Sequence, residues 1–259
     1  MKKLYITAIL SLIIISAAAQ ESVMTGREVM QLLYDRPDGD TRYATTEMIL
    51  IKKNGRRRIR KIKSWGADFG KDSKKIMFFT YPGDVSGTCF LCWDYEDASR
   101  TDDKWLYMPA LKKTRRISGE SSKTDYFMGS DFTYDDMSRR SVDKEKHQLI
   151  GNETIDGRDC WVVESIPLEK GEIYTRRISW VAKECLIPVK VEYYDKLDKL
   201  HRRMTISEID QVQGFWTMRH MEMENVQTGH KTVIKMDNQQ FDLKLRPNMF
   251  TVTTMEKGI

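Results

Sequence analysis

The chain has few of the residues that enzymes commonly use for catalysis. Its 259 residues include four histidines, His147, His201, His220 and His230, which are scattered without metal-ligand spacing. The sequence has no G-x-S-x-G turn, phosphate-binding loop or dinucleotide fingerprint. These absences argue against the enzyme classes that the motifs define, and we expect no metal site and no cofactor.

Cysteine is also scarce, with four residues in the whole chain. Cys89 and Cys92 have C-x-x-C spacing, but they belong to TCFLCWDY, an apolar run typical of a strand. Residues three apart in a strand point to opposite faces, so we predict two buried thiols rather than a redox pair. For Cys160 and Cys185 the sequence leaves open whether a disulfide forms.

A long hydrophobic run occurs only at the start of the chain. Lys2 and Lys3 precede an apolar stretch over residues 4–15, and Ala17, Ala18 and Ala19 precede Gln20. This pattern predicts a signal peptide over residues 1–19 that is cleaved on export. A membrane anchor needs about 20 apolar residues, and this stretch is shorter.

Strong net charge is missing as well. Removal of Lys2 and Lys3 with the signal peptide lowers the formal charge from +5 to +3. That excess is small, and an exported protein does not meet nucleic acid, so we expect no nucleic-acid partner. No linker or internal repeat divides residues 20–259, and we predict a single domain there.

The remaining pattern is mostly that of strands. A helix is predicted within residues 22–36, and Asn54-Gly55 predicts a tight hairpin between strands 41–52 and 56–66, since both residues tolerate positive φ. So many strands separated by short turns predict a mainly β (α+β) antiparallel meander that curls to bury one face. Further strands are predicted at 75–81, 88–95, 104–108, 114–117, 146–152, 159–166, 173–181, 188–195, 200–212, 215–225 and 231–236.

Several motifs together resemble a known family. They are GTxFLxWDY at Gly87–Tyr95, WxYxP at Trp105–Pro109, a basic turn at Lys113–Arg116, GSDFTYDDM at Gly129–Met137 and PxxFT at Pro247–Thr251. In these motifs the chain is similar to bacterial outer-membrane lipoprotein-sorting proteins, relatives of the periplasmic carriers LolA and LolB. The resemblance implies a strongly curved antiparallel sheet that forms an incomplete barrel. It also implies helices and loops over the concave face and an apolar cavity for acyl chains, hence binding rather than catalysis.

The stretch from Ser118 to Met137 interrupts the strand pattern and is predicted to be a long loop with a short helix at 134–139. We expect residues 126–134 to form part of a lid over the cavity. Methionines on the last long strands and in this loop could adapt to varied ligands, although they are also ordinary core residues. The candidate cavity and lid residues are Trp93, Trp105, Tyr126, Phe127, Met128, Phe132, Tyr134 and Met218.

The densest charge lies around the first hairpin, where eight of the twelve positions from Lys52 to Lys63 are basic. This basic hairpin could dock on anionic headgroups or on an acidic protein, or it could be a solvated hairpin whose charges discourage edge pairing. Both interpretations remain open. The docking candidates are Arg56, Arg57, Arg58, Arg60 and Lys61.

Three functions follow from the sequence. The favoured one is a periplasmic carrier of lipid or acylated lipoprotein, working with an inner-membrane transporter or an outer-membrane acceptor. The alternative is an envelope interaction module, such as an accessory of an inner-membrane exporter, which binds a protein through the basic hairpin. A hydrolase is third, because the sequence shows no nucleophile or metal site. Asp135 and Asp136 could act as its acid and base, but such a pair is more typical of a helix start.

Overall fold

A computed structural model describes residues 24–258 of the protein. The predicted signal peptide lies outside the described residues. Strands dominate, as predicted, and helices are short. In the part that the structure describes, no helix is long and apolar enough to cross a membrane.

The first helix, α1 (Gly26–Tyr34), starts where the sequence predicts a helix. Thr25 and Glu28 form a capping box, in which each side chain accepts a hydrogen bond from the other residue's backbone N–H. Val29 and Met30 pack against Val163 and Val181 of the sheet. Gly26 permits this close approach, because a Cβ there would lie 2.5 Å from the backbone of Gln148.

All thirteen predicted strands are present, with shifted ends. The first hairpin is confirmed, but of its two turn residues only Gly55 takes a positive φ, +79°. Asn54 acts instead through its side chain, which accepts a hydrogen bond from the Arg56 N–H. The strands are β1 (Thr41–Ile51), β2 (Arg57–Phe69), β3 (Asp72–Tyr81), β4 (Cys89–Asp94), β5 (Asp103–Met108), β6 (Lys113–Ile117), β7 (Glu145–Ile155), β8 (Arg158–Pro167), β9 (Arg176–Ala182), β10 (Ile187–Tyr194), β11 (Leu200–Val212), β12 (Phe215–Asn225) and β13 (His230–Phe241).

The strands form one antiparallel sheet in the order β6-β5-β4-β3-β2-β1-β13-β12-β11-β10-β9-β8-β7. Two meanders, β1 to β6 and β7 to β13, therefore join where β1 pairs with β13. The sheet curves but stays open, with β6 and β7 at its edges, which confirms the incomplete barrel. Residues 118–144, here called the central segment, connect these two edges.

The central segment crosses one face of the sheet, which we call the inner face. Phe127, Phe132 and Tyr134 of the segment pack there with Met48, Phe90 and other strand residues. The segment also contains the helix α2 (Gly119–Thr124), which the sequence did not predict. The predicted helix at 134–139 is a single 3-10 turn over Asp135–Met137.

The opposite, outer face has its own apolar cluster under a second unpredicted helix, α3 (Val252–Lys257), where Phe250 and Met255 cover strands β4 and β5. Cys89 belongs to this outer cluster and Cys92 to the inner one, so the predicted opposite orientation of the two buried thiols is confirmed. Cys160 and Cys185 are also buried and unbridged in this structure.

Candidate functional site

Aromatic residues of the central segment fill one part of the inner face. Phe127 is fully buried, and its ring centroid lies 5.2 Å from that of Phe90 and 5.5 Å from that of Tyr134. Phe79 packs against the same ring at 6.0 Å. Edge-to-face contacts of this kind add to the stabilisation from burial. Around Phe127 the segment therefore packs directly against strands β3 and β4.

Hydrogen bonds tie the GSDFTYDDM motif to strand β13. The Asp131 N–H donates to Thr232 Oγ1 at 2.9 Å, and the Thr232 hydroxyl donates to Asp131 Oδ2 at 2.7 Å. His230 Nδ1 lies 2.7 Å from the same carboxylate oxygen. The motif is therefore tied to β13 through a carboxylate that strand residues surround.

A buried arginine holds the same motif from β11. Arg202 has no exposed surface, and its Nη1 donates to Asp136 Oδ2 at 2.6 Å and to the Asp131 carbonyl at 2.9 Å. Its guanidinium also lies over the Tyr193 ring, 4.6 Å from the centroid. Sequence motifs did not identify Arg202. One feature of the sequence could have identified it. Arg202 alternates with Met204 and Ile206 along β11, and alternate residues of a strand face the same side, so the arginine lies among inward-facing apolar residues.

A second buried cation, Lys104 of β5, holds the segment from the other meander. Its Nζ lies 2.8 Å from Asp135 Oδ1, which also accepts a hydrogen bond from the Ser122 hydroxyl. Burial works against both charges, but Lys104 lowers the pKa of Asp135, and Asp135 in turn raises the pKa of Lys104. A general acid needs a raised pKa, so the environment of Asp135 does not suit the acid of the predicted hydrolase.

A third group of charges lies where the segment meets β7 and β9. Arg177 Nη2 lies 2.5 Å from Glu145 Oε2, and the Tyr174 hydroxyl donates to Glu145 Oε1 at 3.1 Å. Arg140 Nη2 lies 3.0 Å from Glu172 Oε1. Burial opposes ionisation of Glu145, but the Arg177 guanidinium keeps the pKa of Glu145 below its ordinary value. Through Arg140 the end of the segment is tied to this group of charges.

Next to the segment, the inner face encloses a cavity of about 490 Å³, within the range usual for small-molecule sites. Apolar side chains dominate its wall, and Leu33 and Arg36 at the end of α1 lie at its border. Unbranched thioethers make such a wall adaptable in shape. Eight methionines line it: Met48, Met77, Met137, Met204, Met218, Met221, Met223 and Met236.

A smaller cavity of about 260 Å³ lies beside the Lys104–Asp135 pair. Charged residues such as Asp102, Lys144 and Glu169 line it together with that pair. Most of these charges already pair with one another, for example Lys144 with Asp102 at 3.5 Å. We therefore take the larger, apolar cavity as the candidate site.

The structure separates the eight predicted cavity residues into four groups, of which the last, Trp93 and Trp105, lies on the outer face. Phe132 and Met218 line the cavity. Phe127, Tyr134 and Met128 belong to or pack against the inner cluster, whereas Tyr126 is partly exposed. Residues missed by the prediction include Met48, Met77 and Met204 on the strands, and the cations Arg36 and Lys75.

Trp93 and Trp105 require a correction, because they lie on the outer face. Their rings meet each other at 5.2 Å, and the Trp93 indole N–H donates to the Phe250 carbonyl at 3.0 Å. Strand alternation explains this position, since Cys92 points to the inner face and its neighbour must point away. The two tryptophans pack under the C-terminal residues and are not in the cavity wall.

The basic side chains of the hairpin are exposed, with one exception. Arg56, Arg57, Arg58 and Lys61 are exposed, and no ion pair among residues 24–258 includes them. Arg60 differs, because its guanidinium donates to the Met128 carbonyl and lies 5.9 Å from the centroid of the Phe79 ring. Arg60 therefore supports the central segment rather than the exposed basic surface.

Known proteins share this architecture. A family model described as "Uncharacterized protein" matches residues 71–257. A DUF1329 family protein from Desulfovibrio piger is 32% identical, with 89% of this chain and 97% of that chain covered and a TM-score of 0.84. A domain named as an outer membrane lipoprotein-sorting protein, from Vibrio parahaemolyticus, is 33% identical over 89% of this chain and 98% of that one, with a TM-score of 0.83.

More distant similarity shows the fold alone. A LolA superfamily protein from Nitrosomonas europaea is 18% identical, with coverage of 89% of this chain and 99% of that chain and a TM-score of 0.69. Among curated proteins, none matches significantly. The resemblance to outer membrane lipoprotein-sorting proteins that the motifs indicated is confirmed by the Vibrio parahaemolyticus structure, and the chain belongs to the family that it shares with the two closer structures.

Proposed function

We propose that the protein is a periplasmic, non-enzymatic carrier that holds a lipid or the acyl chains of a lipoprotein in the methionine-lined cavity. The observation that carries this proposal is the cavity itself, with eight methionines in its wall on the inner face. Each acyl CH₂ removed from water contributes about 0.8 kcal/mol. A chain of ordinary length therefore gains enough from an apolar cavity to leave water.

In this proposal the central segment is a fixed wall of the cavity. Its aromatic residues are buried, and Arg202, Lys104 and Thr232 hold it at three places. Ligand then enters from the side of α1, where Leu33 and Arg36 border the cavity. A lid that swings at Phe127 would have to break several buried ion pairs at once.

The carrier would act between the two membranes of the envelope and deliver its cargo to the outer membrane. We propose residues 20–259 as the single carrier domain released by signal cleavage. The family's connection with lipoprotein sorting supports this role, as does the Vibrio parahaemolyticus relative. The unpaired cations of the basic hairpin, Arg56, Arg57, Arg58 and Lys61, supply a surface for anionic headgroups or for an acidic partner.

The test is direct identification of the cargo. The protein is purified without detergent and extracted with organic solvent, beside an exported control protein of similar charge, and both extracts are analysed by mass spectrometry. The expected result is a lipid or acyl peptide at near-stoichiometric amount in the sample alone. A clean extract from folded protein would contradict the carrier proposal.

One observation favours a second function. The exposed basic hairpin is suited to an acidic protein partner without any need for a lipid, so an envelope interaction module remains the alternative. The same purification discriminates the two functions. A module yields a clean extract and a protein that cross-links near Arg57, and a carrier yields the lipid.

A further inference from the structure

The charges in the cavity wall are not balanced by one another. Four cations line the cavity: Arg36, Lys75, Arg140 and Arg177. Arg140 and Arg177 pair with the buried carboxylates Glu172 and Glu145. Arg36 and Lys75 have no carboxylate within ion-pair distance among the residues that the structure describes.

Backbone carbonyls are the partners of these two cations instead. The Arg36 guanidinium donates to the Trp216 carbonyl, and Lys75 Nζ donates to the Met137 carbonyl at 2.6 Å. A guanidinium carries five N–H donors and an ammonium three. One bond each therefore leaves several donors of both residues available to a ligand.

The acidic residues in the cavity wall do not compensate this charge. Asp135 pairs with Lys104 at 2.8 Å, Asp136 with Arg202 at 2.6 Å, and Glu172 with Arg140 at 3.0 Å. Each of these carboxylates thus has a cation of its own. The wall keeps two positive charges, on Arg36 and Lys75, beside the apolar methionine surface.

The surroundings of the two cations make an anion the fitting partner. Burial removes water from the Arg36 guanidinium and lowers its pKa, and Asp38 acts in the other direction without cancelling this effect. Thr46 and Ser64 also line the cavity and add hydroxyl groups to its apolar wall. A carboxylate or phosphate there would replace lost hydration with charge-assisted hydrogen bonds.

We infer that the cavity selects an anionic amphiphile, whose acyl chain lies along the methionines and whose carboxylate or phosphate headgroup is bound by Arg36 and Lys75. This inference rests on the proposed carrier function and specifies the ligand class of the same site. The headgroup chemistry is shared by fatty acids and by acyl phosphates or lysophosphatidic acids.

The experiment compares headgroups on one chain length. Nile red, a neutral probe, is bound to the purified protein and displaced at pH 8 by laurate, dodecyl phosphate, monolaurin or dodecyltrimethylammonium, each below its micelle concentration. We expect both anions to bind about tenfold or more tightly than neutral monolaurin, because charge-assisted hydrogen bonds are stronger than neutral ones. Comparison of the affinities for laurate and for dodecyl phosphate shows whether the site prefers a carboxylate or a phosphate headgroup.

Variants assign the effect to the two cations. Arg36→Gln and Lys75→Gln keep one donor for the Trp216 and Met137 carbonyls but remove the charge, and each should lower the affinity for the two anions relative to that for monolaurin. Lys74→Gln is the matched control, since Lys74 is the next residue along β3 and lies over the Trp93 ring on the outer face, 4.1 Å from its centroid. Thermal unfolding verifies that each variant is folded.

The outcomes separate the two proposals. Equal affinity of the unaltered protein for monolaurin, laurate and dodecyl phosphate would overturn the anion inference and leave the carrier function standing. An anion preference that survives both substitutions would overturn the assignment to Arg36 and Lys75. Failure of Nile red and of every amphiphile to bind would remove the carrier function itself.

Discussion

The inner face of the sheet has an aromatic half, which holds the central segment, and a methionine half, which lines the cavity. Around Phe127, rings from the segment and from strands β3 and β4 interlock with no space between them. Around Met221 and Met223, flexible side chains line about 490 Å³ of open volume. The difference shows that the central segment covers only part of the face. Rigid packing there holds the segment in place, so that the other part remains available.

The largest effect on the free energy of unfolding is expected when Arg202, the buried cation that holds the central segment, is replaced. Arg202→Met leaves the buried Asp136 carboxylate without its partner, and we expect a loss of about 3–5 kcal/mol in the free energy of unfolding. Urea unfolding measures it. Asp136→Asn is the companion variant, because it leaves the arginine buried without its countercharge. A loss below 1 kcal/mol for Arg202→Met would mean that the ion pair does not hold the aromatic half together.

Truncation in the two halves should then differ. Phe127→Ala empties a fully packed site and should cost about 3–5 kcal/mol, whereas Met221→Ala removes atoms beside open space and should cost no more than about 2 kcal/mol. Chemical denaturation of both variants gives the comparison. The same substitution at Met221 should change ligand affinity, which Nile red titration detects. Similar stability losses at the two positions would contradict the division into halves.

Acid should weaken the segment's anchors. Lys104 lowers the pKa of Asp135, and Arg177 lowers the pKa of Glu145, in each case against burial. A lowered folded-state pKa stabilises the protein above the unfolded values, near 3.9 for Asp and 4.3 for Glu, and this stabilisation is lost as pH falls through the folded pKa. Glu172 opposes this trend, because burial raises the pKa of its carboxyl group.

We therefore expect the urea midpoint to decrease from about pH 5 downwards, and Asp135→Asn to make that decrease shallower. Unfolding curves at a series of pH values provide the measurement. Stability that is constant or rising towards pH 3 would show that these ion pairs do not fasten the segment.

The smallest effect on stability is expected outside both halves, at the basic hairpin. A variant with Arg56→Gln, Arg57→Gln and Arg58→Gln changes exposed side chains and should alter the free energy of unfolding by no more than about 0.5 kcal/mol per residue. Its binding to vesicles containing phosphatidylglycerol should weaken by about 1 kcal/mol per residue. Arg60→Gln, which removes the bond to Met128, is the contrast and should affect stability instead. Equal vesicle binding by the triple variant would contradict membrane docking.

Much of the fold was predictable because strand signals are local. Alternation along residues 188–195 and turn residues such as Gly55, Gly157 and Gly229 mark strand ends, and each of these glycines has a positive φ in the structure. The short helices α2 and α3 were missed. Each has only six residues and is placed by packing on the sheet rather than by its own periodicity.

The candidate site was less predictable. Phe132 and Met218 were identified, but Trp93 and Trp105 were assigned to the cavity because aromatic residues suit either face of a sheet. Whether a strand residue faces the cavity depends on which face of the sheet the central segment crosses. Local sequence patterns do not reveal which face that is. Arg36 and Lys75 were missed for the same reason, since their carbonyl partners lie 180 and 62 residues away.

By itself, the sequence determined the strands, the family and the presence of a special segment between two meanders, because hydrophobic alternation, turn residues and short motifs are read within a few residues. Only the tertiary structure decided that this segment connects the edges of an open sheet, that Arg202 and Lys104 clamp it from opposite meanders, and that methionines from several strands meet around a cavity. Those features arise from contacts between distant residues, and their geometry exists only once the sheet has curved.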